Sequence, residues 1–532
     1  MFYKSYFTVL SFFSLILILP IIGILLKVEF DISYFFDFIN SKYNIKIIYI
    51  TFIQAFFSAF FSCLLAIPFS LCLYRNKNLL IVKIIISLCG FSFVMPSILI
   101  IHSVIGIYGI NGILNNLINF YDFFNLKSLF GLKGILIAHI LLNAPFATRL
   151  FFQNLNSISK NYIEIGNSLN LNFWAFLVKV EWPILKQNLI SIFSIIFILC
   201  FMSFAIVMTL GGGPKTSNIE VAIYQAVLFE LNFNKAIILS SIQIFICLIL
   251  LFIGFYKLKG TNYFEIQINY FEHPFKKNNI IKIFDCLIII LFSIILFSPI
   301  IFIIFNFFNS IYYEKIYINK YFFNAFINSV ILCLFTSILV TIFGLIISIL
   351  LVNTRNNLFF QQILFLISSM ILVISPIILS FGYFVILGEL RYINWIIYLV
   401  VIIINFIFLT PFSILILYTR TKNIFLNYDD IKKAYRINEI SFLKIIYPLL
   451  QKNLFYIFSF SAAISFGDFT IISFFKNESF QTLPVLLYKL IISYRFNEAS
   501  FVAGFILFFS LFIYLIFDNF FYKGISDKSK WT

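Results

Sequence analysis

Few side chains in this sequence could carry chemistry, and those few lie within or beside long apolar runs. Asp468 stands near the end of one run, where its carboxylate could attract a cation or, next to Gly467, cap a break in a helix. His102 and His139 lie in apolar runs with no carboxylate or cysteine at metal-ligand spacing. We therefore expect two buried structural imidazoles and no metal site, and Asp468 is the first candidate for contact with a ligand.

A glycine run follows another apolar segment. Gly211-Gly212-Gly213-Pro214 lacks the Lys-Ser/Thr ending of a phosphate-binding loop, and no Gly-x4-Gly-Lys-Ser/Thr motif occurs elsewhere. We interpret Gly211, Gly212 and Gly213 as a flexible turn near the mouth of a cavity. No pair of His, Asp or Glu residues lies at active-site spacing within the apolar runs. The sequence therefore predicts a protein that is not an enzyme, binds no cofactor and does not hydrolyse ATP itself.

The elements that must hold these residues follow from the composition. Of 532 residues, 62% are hydrophobic and 11% are charged, whereas soluble proteins average about 25% charged. Spans of about 20 apolar residues cross a bilayer, and inside lipid the backbone must be helical. We predict an all-α polytopic membrane protein with about twelve spans. Their approximate bounds are 7–26, 48–73, 82–105, 134–155, 187–210, 236–256, 284–307, 323–353, 362–387, 394–418, 453–475 and 499–521.

Two prolines interrupt corresponding spans. Pro96 lies within 82–105 and Pro376 within 362–387, and each should kink or break its helix. Broken helices near the midplane of a membrane often border a substrate path, although a packing kink explains them equally well. Pro96 and Pro376 are therefore candidate pathway residues together with Asp468 and the glycine run.

The basic residues are distributed unequally. The formal net charge is +16, and one set of loops together with both termini holds 24 of the 37 lysines and arginines. Because Lys and Arg are retained on the cytoplasmic side of a membrane, both termini are predicted to be cytoplasmic. Topology thus explains the charge, and no nucleic-acid partner is expected.

The same kinds of short motif occur twice along the chain. Asn143-Ala144-Pro145-Phe146 and Leu409-Thr410-Pro411-Phe412 each precede a large polar loop, and this and other paired features recur at an offset of 262–266 residues. A near-constant offset indicates duplication. We predict two parallel repeats, residues 1–258 and 284–532, joined by a cytoplasmic linker over 259–283.

The repeat also sets the expected counterpart of Asp468. Pairing Ser203-Phe204 with Ser465-Phe466 makes Ile206 the counterpart of Asp468. The carboxylate would then break the symmetry of the two repeats.

Each repeat contains one large polar loop on the basic side, over 156–186 and 419–452. Each loop should form a helix, a turn and a second helix, making a rigid knob that can enter a groove on a partner. Asn170 can adopt the left-handed conformation of the turn, whereas Arg436 is less suited, so we expect the second knob to be shaped differently. The residues that define the two loops are Glu164, Ile165, Gly166, Asn170, Val180 and Pro183 in the first, and Asp430, Ile431, Lys432, Arg436, Ile446 and Pro448 in the second.

The spacing in these loops resembles the cytoplasmic signature of binding-protein-dependent ABC importer permeases. That signature begins Glu-Ala-Ala, continues to a turn glycine and closes with an aliphatic residue three before a proline. Ile165 and Gly166 replace the alanines, Asn170 replaces the glycine, and Pro448 comes one residue early. The outer segments, from Thr209 to Gln225 and from Gly467 to Arg495, resemble those of thiamine importer permeases. The resemblance implies import of thiamine and its phosphates. Ferric-iron importer permeases share the duplicated plan, and a permease of this type for iron or another small solute is the near alternative.

The resemblance implies a type I ABC importer permease fold, also called MetI-like, in a bacterial inner membrane. It implies two copies of an ATPase subunit, one under each knob, and a periplasmic thiamine-binding protein as partners. It implies alternating access, in which the twelve loop residues contact the ATPase and substrate crosses near the midplane. A self-powered secondary transporter is a different class and would need ion-coupling carboxylates in the spans, for which Asp468 alone is thin support.

Overall fold

The described part of the chain is mainly helical, and many of its helices are long. The computed structural model describes residues 15–16, 18–23, 32–119, 121, 128–256, 273–313, 320–353, 373–475 and 480–526. Within these residues, ten helices are long and apolar enough to cross a membrane. They coincide with ten of the twelve predicted spans. The other two, 7–26 and 362–387, lie partly outside the described residues, as do both termini. The prediction of an all-α polytopic membrane protein is confirmed.

Besides the helical residues 15–16 and 18–23, the described part of the chain before the junction between the predicted repeats contains eleven helices. They are α1 Ile32–Asn40, α2 Lys42–Arg75, α3 Leu80–Val94, α4 Ser97–Tyr108, α5 Ile113–Ile118, α6 Leu132–Asn156, α7 Lys160–Ser168, α8 Phe173–Phe201, α9 Ala205–Leu210, α10 Ile219–Leu228 and α11 Phe233–Tyr256. A single 3₁₀ turn, Pro274–Lys277, then leads into the second part.

Eight helices follow among the described residues. They are α12 Asn279–Tyr313, α13 Lys320–Asn353, α14 Pro376–Leu387, α15 Asn394–Ala434, α16 Glu439–Phe466, α17 Thr470–Phe475, α18 Leu483–Ile492 and α19 Phe496–Ser526. Four of them match earlier helices in order and length. α2 and α13 have 34 residues each, α4 and α14 have 12, α9 and α17 have 6, and α10 and α18 have 10.

Proline sets two helix starts, as the sequence predicts. Pro96 precedes the first residue of α4, so the predicted span 82–105 is two helices, α3 and α4, and not one. Pro376 is the first residue of α14, where its missing N–H costs no helical hydrogen bond. Both prolines therefore place an irregular backbone segment within the helical assembly.

Each part contributes one helix that packs against the other part. α12 packs against α4, where the Ser103 hydroxyl donates to the Pro299 carbonyl at 3.2 Å. In the reciprocal place, the Tyr383 hydroxyl of α14 donates to the Ile16 carbonyl at 3.0 Å. Each part thus carries a helix that lies on the other.

Buried polar contacts inside the assembly also join the two parts. Arg149 of α6 is buried, and its guanidinium donates to the Tyr514 hydroxyl of α19 at 2.5 Å. The His102 ring lies 3.1 Å from the Ser500 hydroxyl. The expectation that His102 is a buried structural imidazole agrees with this contact.

Candidate functional site

A central cavity lies where the long helices of both parts break. α8 ends at Phe201 and α9 begins at Ala205, while α16 ends at Phe466 and α17 begins at Thr470. Between the two breaks is a cavity of about 220 Å³. Side chains of both parts line it, among them Phe93, Pro96, His139, Asn143, Ser203, Phe204, Pro376, Asn405, Phe408, Asp468 and Phe469.

The structure brings three of the predicted pathway positions together and leaves the glycine run apart. Pro96, Pro376 and Asp468 all lie in the cavity wall. Gly211, Gly212 and Gly213 are not among the lining residues. They form a turn after α9, with φ of 68° and 113° at Gly212 and Gly213, held beside the start of α6 by a 2.7 Å hydrogen bond from the Gly131 N–H to the Leu210 carbonyl.

Asp468 has two sets of partners. Its Oδ1 accepts hydrogen bonds from the backbone N–H groups of Thr470, at 3.0 Å, and Ile471, at 3.3 Å, and so caps α17. Its Oδ2 accepts from the Asn405 amide at 3.4 Å. The Asp468 side chain therefore caps a helix and also lies beside the cavity.

The expected counterpart of Asp468 is wrong. Aligning the two helix breaks pairs Asp468 with Ser203, because each is the second residue after the end of its long helix. Ile206 lies one residue inside α9. Ser203 also lines the cavity, so a hydroxyl occupies the place in the first repeat that a carboxylate occupies in the second.

His139, which the sequence predicted to be a buried structural imidazole, is buried and also lines the cavity. Its Nδ1 lies 3.0 Å from the Ser58 hydroxyl, and its Nε2 has no hydrogen-bond partner among the residues that the structure describes. His139 and Asn405 are 266 residues apart, at equivalent places in α6 and α15, and both line the cavity. The repeat offset was the one signal that could have paired them. The two walls therefore differ, with an imidazole and a hydroxyl facing a carboxylate and an amide.

Aromatic clusters bound the cavity at two ends. Toward the polar loops, Phe93 stacks on Phe146 with ring centroids 4.2 Å apart and contacts Phe412 and Phe460 at 5.6 and 5.7 Å. Phe146 and Phe412 lie seven residues beyond His139 and Asn405, about 10 Å along their helices.

At the opposite end, Phe204 and Phe469 stack across the two parts at 6.2 Å. Tyr224 contacts Phe204 at 5.0 Å and Tyr488 contacts Phe469 at 4.8 Å. We call the cluster of Phe93, Phe146, Phe412 and Phe460 the loop-side cluster and that of Phe204, Tyr224, Phe469 and Tyr488 the far-side cluster. Each cluster joins rings of both parts next to the cavity.

The two polar loops form helical knobs with the same turn. We define the first knob as residues 160–183 and the second as residues 426–448. Asn170 and Arg436 have φ of 47° and 49°, in the left-handed region. The next N–H donates back five residues in each case, from Leu171 to Gly166 at 3.2 Å and from Ile437 to Lys432 at 3.0 Å. This is the hydrogen bond of a Schellman cap. The expectation that Arg436 shapes its turn differently is therefore wrong.

The interiors of the knobs differ at one position. A Cβ on Gly166 would come within 2.8 Å of the Phe176 ring, so the first knob needs glycine for this close approach. The equivalent residue of the second knob is Lys432, whose Nζ lies 4.9 Å from the centroid of the Phe442 ring. Phe176 and Phe442 are both buried. The same aromatic residue thus closes each knob, against a glycine in one and a lysine in the other.

A π-helical turn explains why Pro448 comes one residue early. α8 contains a π turn at Leu177–Glu181, immediately before Trp182-Pro183, whereas α16 has none before Pro448. A π turn accommodates one extra residue in a helix. The repeat offset accordingly falls from 266 at the knob turns to 265 at Pro183 and Pro448. The early proline reflects this insertion and does not shorten the second knob.

Both knobs expose apolar side chains at equivalent positions. Ile165 and Leu169 are 54% and 65% exposed, and their counterparts Ile431 and Tyr435 are 46% and 78% exposed. Contiguous exposed apolar side chains are typical of interaction surfaces, so these four residues are the candidate contacts of the knobs.

The other predicted knob residues occupy different places. Glu164 is exposed and pairs with Lys160 at 3.1 Å, and Val180 is half-buried. Ile446 is buried, so it supports the knob from inside. Asn170, Pro183, Arg436 and Pro448 are exposed. The side chain of Asp430 lies outside the described residues.

Comparison with known proteins identifies the family. No protein-family model matches this sequence. The thiamine transport system permease protein of Haemophilus influenzae is 33% identical over 90% of this chain and 89% of its own length. The proteins of the same name from Salmonella typhimurium and Escherichia coli are 28% and 27% identical over 87% and 90% of this chain, and over the same shares of their own lengths. The chain therefore belongs to the family of thiamine transport system permease proteins.

Proposed function

We propose that this chain is the membrane-spanning permease subunit of an ATP-driven importer that carries thiamine across the bacterial inner membrane. The observation that carries the proposal is similarity to thiamine permeases over nine tenths of the chain. The ten candidate spans and the cavity shared by both parts support a transport function.

The cavity has the chemistry for a cationic, aromatic solute. Thiamine consists of a positively charged thiazolium ring and an aminopyrimidine ring. Aromatic faces attract cations, and Phe93, Phe204 and Phe469 lie in the cavity wall. The Asp468 carboxylate supplies a negative charge in the same wall. We assign the thiazolium to the side of Asp468 and Asn405, and the aminopyrimidine to the side of His139 and Asn143.

Energy is supplied by a separate ATPase in this proposal. The chain has no phosphate-binding loop, whereas its two knobs present matching apolar side chains to a partner. Two equivalent knobs suit two copies of one ATPase subunit. The excess of Lys and Arg on the knob side favours the cytoplasm there and both termini inside.

The far side of the molecule then receives substrate from a periplasmic thiamine-binding protein. ATP binding draws the two ATPase subunits and the two knobs together, and the far-side cluster separates to admit thiamine. After hydrolysis the knobs part, and the loop-side cluster opens toward the cytoplasm. The exchanged helices α12 and 15–23 fit this motion because they tie each repeat to the other.

Uptake in cells tests the proposal. A strain lacking its own thiamine transporter would express this chain with its cognate ATPase and binding protein, or the chain alone. We expect accumulation of labelled thiamine only with the complete set. Uptake of ferric iron in place of thiamine would move the assignment to the related iron permeases, and uptake by the chain alone would exclude an ATPase-driven system.

A further inference from the structure

The start of the second part packs on the first knob. His273 and the 3₁₀ turn Pro274–Lys277, which together we call the strap, contact the knob through aromatic rings. The His273 ring is 5.2 Å from the Phe176 ring, and the Phe275 ring is 5.7 Å from those of Phe173 and Phe176. The strap runs directly into α12, the exchanged helix of the second part.

A buried polar pair fixes this contact. The Nδ1 of His273 accepts the Phe275 backbone N–H at 3.3 Å, which leaves its Nε2–H to donate to the Glu181 carboxylate at 3.0 Å. The side chains of Glu181 and His273 are 1% and 2% exposed. Glu181 is the last residue of the π turn in the first knob. The extra residue of α8 therefore lies in the segment that meets the strap.

A second buried pair lies beside the first. Arg75, at the end of α2, donates from Nε and Nη2 to the Asp285 carboxylate at 2.9 and 2.5 Å, and the Asn76 amide donates to the same carboxylate at 3.1 Å. The Arg75 guanidinium also lies 5.3 Å from the centroid of the Phe173 ring. Asp285 belongs to α12, so the two pairs join α2, the first knob and α12 at one place.

The second knob shows that the buried charge is not needed for packing. Glu181 and Ile446 both stand two residues before their proline, and both are buried. Ile446 packs with Phe442, Phe425 and Val352 in an apolar cluster of its own repeat. A buried polar pair contributes no more to stability than a well-packed apolar group, but its hydrogen bond can fix one arrangement of two elements. The Glu181–His273 hydrogen bond can therefore fix the position of the strap on the first knob.

We propose that Glu181 and His273 are positioning residues that couple the first knob to α12. Displacement of the first knob by the ATPase is passed through the strap to the second part, while Ile446 of the second knob packs on Val352 of α13. This inference rests on the proposed transport function and adds a defined route from the first ATPase contact to the second part.

The test is the number of thiamine molecules moved per ATP hydrolysed. Wild-type chain, the ATPase and the binding protein would be reconstituted in liposomes and compared with Glu181→Ile and His273→Ala. We expect at least a fivefold fall in transport per ATP for both variants, with unchanged co-purification of the ATPase. His273→Gln, which keeps an N–H donor, should restore most of the ratio. Cys286→Ala, an exposed change next to Asp285, is the matched control and should leave the ratio unchanged.

Each outcome is decisive for one of the two claims. A stable complex of Glu181→Ile with the wild-type ratio would overturn the coupling role, because that variant fills the site as Ile446 does in the second knob. If His273→Ala does not assemble, Glu181→Ile and His273→Gln still decide the question. A wild-type complex that hydrolyses ATP without moving thiamine would instead count against the proposed function.

Discussion

At the scale of single residues, Asp468 combines a structural and an electrostatic role. One carboxylate oxygen accepts two backbone N–H groups at the start of α17, while the other meets the Asn405 amide in the cavity wall. The equivalent Ser203 has a hydroxyl and no charge. A change that keeps the cap and removes the charge therefore separates the two roles.

Asp468→Asn is that change. Asparagine can still accept the N–H groups of Thr470 and Ile471 and so keep the cap, but it offers no negative charge to a cation. We expect the KM for thiamine uptake to rise about tenfold, equivalent to about 1.4 kcal/mol, at an unchanged amount of protein in the membrane. Asp468→Ala should also lose the cap, which costs about 1 kcal/mol of stability.

Uptake kinetics in membrane vesicles, together with thermal unfolding of the purified protein, check both parts. Ser203→Ala at the equivalent position is the control and should leave the KM near its original value. Wild-type KM in Asp468→Asn would show that the carboxylate serves only as a helix cap.

Sequence reasoning could identify Asp468 because an acidic residue in an apolar run is conspicuous. It could not choose between capping and a cavity, and it chose Ile206 as the counterpart, because both depend on where the long helices end. His139 was set aside because no metal-ligand partner is near it in sequence. Its neighbour in the cavity wall, Asn143, lies one helical turn away, but the Asp468 wall is over 300 residues distant.

At the scale of elements, the knobs show how a degraded motif keeps its backbone. Neither turn has glycine, yet both reach the left-handed region at equivalent positions. Asparagine tolerates this conformation, whereas arginine is strained there by about 1–2 kcal/mol. The second turn is held by its surroundings, including the hydrogen bond from Ile437 to Lys432.

Arg436→Gly should therefore stabilise the protein. Removing the Cβ relieves the strain at φ of 49°, and the gain is partly offset by the greater freedom of glycine in the unfolded chain. We expect the free energy of unfolding to rise by up to about 1 kcal/mol. Thermal unfolding of the purified protein measures it. Arg436→Ala retains the Cβ and should show no such gain. A melting temperature below wild type for Arg436→Gly would mean that the arginine side chain contributes more than its strain costs.

The exposed isoleucines of the knobs give a second prediction. Placing a charge in an apolar docking contact is costly, so Ile165→Asp and Ile431→Asp should each weaken binding of one ATPase copy. Each single variant should co-purify with about half of the ATPase and the double variant with nearly none. Because both residues are exposed, the fold of the permease should be unaffected.

The control is Leu117→Asp, which changes an exposed leucine of α5, away from both knobs. Quantitative gel analysis of the purified complex gives the ratio of subunits. Full ATPase occupancy in the double variant would show that these side chains do not form the contact.

The helix–turn–helix form of the knobs was predictable from the loop spacing, but the π turn was not. Its one sequence signal was the early Pro448, which we interpreted as a departure from the motif. One inserted residue in α8 accounts for it, since the offset falls by one between the knob turn and the proline, where α8 has its π turn. A one-residue insertion of this kind leaves the hydrophobic pattern of the helix intact, so the periodicity of the sequence does not reveal it.

At the scale of the whole molecule, duplication provides a shared cavity whose two walls differ in a few side chains. The offset in sequence predicted two similar repeats, and the matched helix lengths agree with it, while the boundaries 1–258 and 284–532 stay a prediction. What the sequence could not show was the exchange of α12 and residues 15–23 between the two parts, because such contacts join segments hundreds of residues apart. Among the described residues, the repeats differ at the cavity walls and at Gly166 and Lys432.

The most direct test of the central claim is thiamine uptake by purified components. The chain, its ATPase and its binding protein would be reconstituted in liposomes with ATP on the ATPase side, and labelled thiamine added on the other. We predict accumulation that requires ATP and all three components and that falls in Asp468→Asn. Thiamine movement without ATP or without the ATPase, or none in a complex that assembles and hydrolyses ATP, would contradict the assignment of this chain as the permease of a thiamine importer.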